Sequence, residues 1–223
     1  EYVLIRNNTF TKCNISTGSN MNGGGIYYSC PDSSLNNDEV VEDITIDLCT
    51  FDYCFAQSGS AMYLNPKSVP TLTNNIIQNS KSGQFTLSLI LKKGTFTDYS
   101  LESFTFYNNK AYLKGSTSDR GVDGGGSGIL ISNPPGSYRV PFNLTFHKCN
   151  WTLNSSPQSG GGVLAYGYSE QTQYTNLIFD DCTFTRNNCK DIRGGALRLG
   201  SPHDASLTIK NCHFTNNKAL SNI

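Results

Sequence analysis

Asp181-Cys182-Thr183-Phe184-Thr185-Arg186-Asn187, followed by Gly194-Gly195-Ala196-Leu197-Arg198-Leu199, is the stretch whose reading decides the fold. An apolar pair at alternate positions, Leu177 and Phe179, precedes it. Alternation over a few residues marks a short strand. Phe-x-x-Asn then closes a second short strand, and the glycines open a third. The unit recurs as Phe106-Tyr107-Asn108-Asn109 and Phe214-Thr215-Asn216-Asn217, and as Trp151-Thr152-Leu153-Asn154 with Trp for Phe. Phe10-Thr11-Lys12-Cys13 and Phe51-Asp52-Tyr53-Cys54 carry Cys in place of Asn, and Ile77-Gln78-Asn79-Ser80 is a degenerate copy. A period in the tens of residues implies a stacked architecture.

Working outward from the Phe position, the residue two places earlier is Asn8, Cys49, Asn75, Phe104, Cys149, Cys182 or Cys212. Apolar pairs lie upstream: Val3/Ile5, Ile44/Ile46, Pro70/Leu72, Tyr99/Leu101, Leu144/Phe146, Leu177/Phe179 and Leu207/Ile209. The residue between pair and corner is polar in every unit except at Leu48, so the apolar parity breaks there. That break predicts a bend between two short strands. The glycines downstream suit sharp corners and close backbone approaches. The extra loop of the longer units falls at Ser29 to Val40 and Lys114 to Asp123.

Strands this short cannot bury a face alone. Stacked coil on coil, each pairs with its counterpart in the next turn, about 4.8 Å away. The predicted fold is an all-β, right-handed, single-stranded parallel β-helix of about seven coils. Phe10, Phe51, Ile77, Phe106, Trp151, Phe184 and Phe214 would form an interior ladder. Asn109, Asn154, Asn187 and Asn217 would form an asparagine ladder at the corner. An antiparallel β-sandwich shares the strand richness and the turn residues. It does not explain one motif at equivalent sites along the chain.

Residues 1–223 form one predicted β-helix segment. Neither end carries a recognisable cap, so the expectation is a segment truncated at both ends relative to a longer solenoid. Lys+Arg and Asp+Glu both number 17, for a formal net charge of zero. No basic patch of the kind that binds nucleic acid is visible, and no apolar run is long enough to span a bilayer. No metal-ligand spacing and no cofactor motif is present.

The eight cysteines are Cys13, Cys30, Cys49, Cys54, Cys149, Cys182, Cys189 and Cys212. Cys13 and Cys54 share one motif position in neighbouring units, which makes Cys13–Cys54 the expected disulfide. Cys149, Cys182 and Cys212 share another position, where a buried thiol ladder and a disulfide within the trio are both open. Asn-x-Ser/Thr occurs at Asn7, Asn14, Asn143, Asn150 and Asn154. Asn154 belongs to the ladder and should face inward. Asn7, Asn143 and Asn150 fall on outward parity and are the glycosylation candidates.

Phe184-x-x-Asn187 with Gly194-Gly195-Ala196-Leu197 resembles the repeats of the polymorphic outer membrane proteins of chlamydiae. Similar repeats occur in large surface proteins of some protists. Trp151-x-x-Asn154 with Gly161-Gly162-Val163-Leu164, and Phe106-x-x-Asn109 with Gly124-Gly125-Gly126, match more loosely. The first three units depart from the pattern. The resemblance implies an extracellular β-helical segment of the kind found in adhesins, and it implies no catalytic residue.

Many parallel β-helices act on polysaccharides, so an enzyme must be weighed. Asp180-Asp181 precedes Cys182, with Asp181 at the outward corner, where a solvated carboxylate is the plain expectation. His147, His203 and His213 are scattered, and acid–base catalysis needs two groups converging on one cleft. Asp119-Arg120-Gly121-Val122-Asp123-Gly124 is a single copy of a glycine-aspartate pattern that binds calcium only in series. Tyr27, Tyr63, Tyr168 and Tyr174 could stack on sugars. The expected role is therefore a structural or adhesive rod at the cell surface. Its partners would be other chains of a surface assembly or filament, and glycans. The alternative is a carbohydrate-active enzyme or sugar-binding module on the same coil.

Overall fold

The computed structural model describes residues 2–15, 22–29, 43–66, 69–90, 98–112, 129–132, 142–157, 163–166, 174–190, 194–200 and 206–219. They build a parallel β-helix. A first seven-stranded sheet takes Tyr2–Arg6, Asp43–Asp47, Thr71–Thr73, Asp98–Glu102, Phe142–His147, Tyr174–Asp180 and Ser206–Lys210. A second takes Thr9–Thr11, Thr50–Asp52, Ile76–Gln78, Thr105–Tyr107, Asn150–Thr152, Thr183–Thr185 and His213–Thr215. The third runs through Ile26–Ser29, Phe55–Asn65, Lys81–Ile90, Lys110–Ala111, Ser155–Ser156, Asn188–Cys189 and Lys218–Ala219, with Ile129–Ser132 pairing against Lys81–Ile90. Val163–Tyr166 and Leu197–Gly200 form a separate pair. Each coil contributes one strand to each of the first two sheets.

The register is the one the repeat predicts. Phe10, Phe51, Ile77, Phe106, Trp151, Phe184 and Phe214 are successive partners in the second sheet. Their rings stack nearly parallel: 4.8 Å for Phe10–Phe51, 5.5 Å for Phe106–Trp151, and 4.7 Å for both Trp151–Phe184 and Phe184–Phe214. Offset stacking adds to the gain from burial. From Phe51 to Phe184 every member is fully buried. Phe146 and Phe179, from the first sheet, meet Trp151 edge-on at 5.6 and 6.1 Å and close the core across the coil.

The bend between strands is a left-handed residue. Asn7, Leu48, Asn74, Ser103, Lys148, Asp181 and Asn211 turn the first corner, and Lys12, Tyr53, Asn79, Asn108, Leu153, Arg186 and Asn216 the second, with φ between 50° and 59°. Non-glycine residues seldom adopt this region. Here the turn recurs at both corners of every coil, and Leu, Tyr, Lys and Arg accept it, so the stacking gain exceeds the local cost. The glycine corner has a different cause. Gly194 has φ +64, and a Cβ on Gly195 would lie 2.4 to 2.6 Å from backbone atoms of Lys218. Any larger residue at Gly195 would push neighbouring coils apart.

The long loops expected at Ser29 to Val40 and Lys114 to Asp123 lie outside the described residues, apart from Ser29 itself. So do the Asp119–Asp123 segment, Gly124–Gly126, Gly161, Gly162, His203, Tyr168 and Cys30.

Candidate functional site

Three kinds of side-chain column follow from the register. The first is interior and polar, and it turns the corners. Asn109, Asn154 and Asn187 are fully buried. Each donates Nδ2 to the carbonyl of the ladder residue one coil earlier: Ile77 at 2.8 Å, Phe106 at 2.9 Å and Trp151 at 2.9 Å. Each Oδ1 accepts a backbone N–H from the preceding corner, that of Ser80, Asn109 and Asn154 respectively, all at 3.0 Å. Asn217 repeats both bonds at 2.8 and 2.9 Å. Buried backbone groups must find partners, and the amide satisfies two per coil.

The cysteines perform the same task. The Cys149, Cys182 and Cys212 thiols donate to the carbonyls of Leu101, Phe146 and Phe179 at 3.4, 3.3 and 3.5 Å. Asn75 occupies the same column, accepting the Cys49 N–H at 3.0 Å and donating to Ile46 at 2.8 Å. This explains why Cys, Asn and Ser interchange in the motif: each brings a donor and an acceptor to one place. Sequence reasoning treated the cysteines as apolar filler or bridge partners. The interchange itself was the signal that could have revealed their hydrogen-bonding role.

The expected Cys13–Cys54 bridge is not formed. Both are free thiols, as are Cys49, Cys149, Cys182 and Cys212. Stacked residues on neighbouring parallel strands stand side by side about 4.8 Å apart with parallel Cα–Cβ directions. A disulfide needs Cβ atoms about 3.8 Å apart and converging. Cys54 instead bonds to the Phe10 carbonyl at 3.6 Å, and burial, with Cys13 alongside, pushes its thiol up to about 12. The Cys149 thiol is also raised, by its hydrogen bond with Cys182 and by burial. Cys212 is raised by burial. Protonated thiols are poor nucleophiles and poor metal ligands.

The second column is exterior and charged. Arg6, Asp47, Thr73, Glu102, His147, Asp180 and Lys210 are successive partners at the outer end of the first sheet. Opposite charges meet there. Arg6 Nε lies 3.1 Å from Asp47, while Lys210 Nζ and His147 Nδ1 lie 3.1 and 3.3 Å from Asp180. Side-chain donation from Asn74 and Thr73, with Arg6 alongside, holds the Asp47 carboxyl below its usual range. Lys210, then His147, does the same for Asp180. Asp180 and His147 thus meet, but in a mutually compensated row on an outer sheet face. Asp181 is the exposed corner residue, and His213 lies on the second sheet's outer face, away from them.

The third kind of column is basic. On the outer face of the third sheet, Phe55, Lys81, Lys110, Ser155 and Asn188 are successive partners. With Asn108, Leu153, Tyr112, Pro157 and Lys190 they line a groove of about 810 Å³. Phe55 and Tyr112 stack at 5.5 Å, almost parallel. Lys81 and Lys110 are opposed in register, and no carboxylate pairs with either, or with Lys190, among the described residues.

The sequons divide. Asn154 is buried in the ladder, as expected. Asn7 and Asn150 are exposed. The Asn143 amide is tied on both sides, donating to Asp98 and accepting from Asn176, which in turn accepts from Ser206. Tyr27 and Tyr63 stack on the third sheet's outer face at 5.3 Å, with Tyr27 well exposed.

Fold and columns together define a repeat solenoid of the parallel β-helix class. No protein-family model, no curated protein and no solved structure matches this chain.

Proposed function

We propose that the chain is a structural or adhesive segment of a large extracellular or cell-surface protein: a β-helical rod that presents loops and packs beside partner chains. The observation that carries this reading is the outer face of the second sheet. Its two rows read Thr9, Thr50, Ile76, Thr105, Asn150, Thr183, His213 and Thr11, Asp52, Gln78, Tyr107, Thr152, Thr185, Thr215, in register through seven coils. Asp52 is the sole acid in these rows, and Asn79 donates to it at 2.9 Å. A long polar face of so little charge costs little to desolvate beside another chain. It offers no pair of acids or bases to a substrate. The resemblance to surface-protein repeats points the same way. On this reading the chain has no catalytic residue and takes no cofactor, and Asn7 and Asn150 are the sequons open to glycosylation.

The test is surface labelling. Antibodies raised against the chain should stain intact cells of its source without permeabilisation. Staining that appears only after permeabilisation overturns the location. Release of products from a panel of polysaccharides would replace the scaffold reading with the carbohydrate-active alternative, which the lysine groove favours.

A further inference from the structure

The groove on the third sheet is built against its own electrostatics. Like charges directly opposite on neighbouring strands are unfavourable. On the first sheet's outer column the fold sets Asp47 beside Arg6, and Asp180 between His147 and Lys210. On the third sheet Lys81 stacks on Lys110, Lys190 joins the same groove, and the polar neighbours Ser155, Asn188 and Asn108 supply no charge. The aromatic pair Phe55–Tyr112 walls the groove.

We infer that this groove binds an acidic polysaccharide, with Lys81, Lys110 and Lys190 meeting its carboxylate or sulfate groups and the Phe55–Tyr112 pair meeting the apolar face of a sugar ring. Three features select this occupant. The groove crosses successive rungs about 4.8 Å apart, so it offers cations in series to a chain that carries anions in series. Peptides captured by sheets add a strand at a free edge. The strands bearing Lys81, Lys110 and Ser155 are hydrogen-bonded on both sides, leaving no edge. Tyrosine and phenylalanine offer broad apolar faces, and the tyrosine hydroxyl adds a polar tip. This proposal goes beyond the scaffold reading and does not depend on it: a rod without the groove's ligand remains a rod.

The experiment measures binding of the chain to polygalacturonate and to dextran sulfate, with neutral dextran, polyglutamate and poly(U) as comparisons. Binding to either acidic polysaccharide, weakening as salt rises, is expected, and the better of the two identifies the acid group. Lys81→Glu/Lys110→Glu should lose about tenfold or more in affinity. Lys12→Glu/Lys148→Glu, at exposed corners, changes net charge equally and should lose little. Tyr112→Ala should weaken binding while keeping the salt dependence. Circular dichroism and melting confirm that each variant folds. No binding to either acidic polysaccharide, equal loss in the two double variants, equal binding to neutral dextran, or tighter binding to polyglutamate or poly(U) would each overturn the assignment.

Discussion

The two corners of each coil use the same backbone turn and different chemistry. At the second corner the interior column is amide in the last four coils, Asn109, Asn154, Asn187 and Asn217, with bonds of 2.8 to 3.1 Å, after Cys13, Cys54 and Ser80 in the first three. At the first it is mostly thiol, with sulfur 3.2 to 3.5 Å from carbonyl oxygen. An amide has two N–H donors and a strong acceptor, and a thiol is weak in both roles. Asn154, for example, also donates Nδ2 to the Asn187 oxygen at 3.1 Å, so the amides bond to one another along the rod. The exteriors differ as well. Beside the first corner lie the ion pairs of Asp47 and Asp180, and beside the second lies an amide chain in which Asn79 donates to Asp52 and accepts from Asn108. One repeat therefore carries a strongly bonded interior corner and a weakly bonded one reinforced from outside.

The largest expected effect comes from the residue between the corners. Phe184→Ala should cost about 3–5 kcal/mol in chemical unfolding, through the cavity left between Trp151 and Phe214. A cost near zero would mean that the ladder is not what the corners hold in place. Next, the corners can be set against each other. Asn187→Ala orphans the Asn154 N–H and the Trp151 carbonyl and should cost about 3 kcal/mol. Cys182→Ala, which loses only sulfur bonds and a small volume, should cost about 1–2 kcal/mol. Asn187→Cys should recover part of the asparagine loss, because Cys13 and Cys54 stand in that column. Equal costs for the two alanine variants would erase the distinction between the corners. The smallest effect is acid sensitivity. The carboxyls of Asp47 and Asp180 sit below their ordinary values in the folded chain. Their stabilisation is present above the unfolded carboxyl value of about 3.9 and is lost as pH falls through the lower folded values. Melting temperature should fall as acid is added below about pH 4, and less so in Asp180→Asn, which has no such proton to take up.

Much of this molecule is legible in one dimension because its contacts repeat. Phe184 lies over Trp151 for the same reason that both follow an apolar pair and precede Asn. Aligning the units therefore aligned the ladders, including the weak third unit, where Leu72 pairs with Ile46 as the alternation predicts. The inward face of Asn154 and the outward corner place of Asp181 were readable in the same way. The cysteines were misread because spacing tells which side chains are neighbours and not how their bonds converge. Cys13 and Cys54 are neighbours, as expected, and their thiols stay separate.

The sequence by itself determined the coil, its register and its interior, since those depend on the order of apolar and polar residues along each unit. Only the tertiary structure decided what the outer columns do. Phe55, Lys81 and Lys110 stand at one place in the unit, four residues after Phe51, Ile77 and Phe106, and Tyr112 lies two residues beyond Lys110, yet the motif leaves that place open to any residue. They become one groove because stacking brings separate coils to the same face, where charge and exposure depend on every neighbour at once.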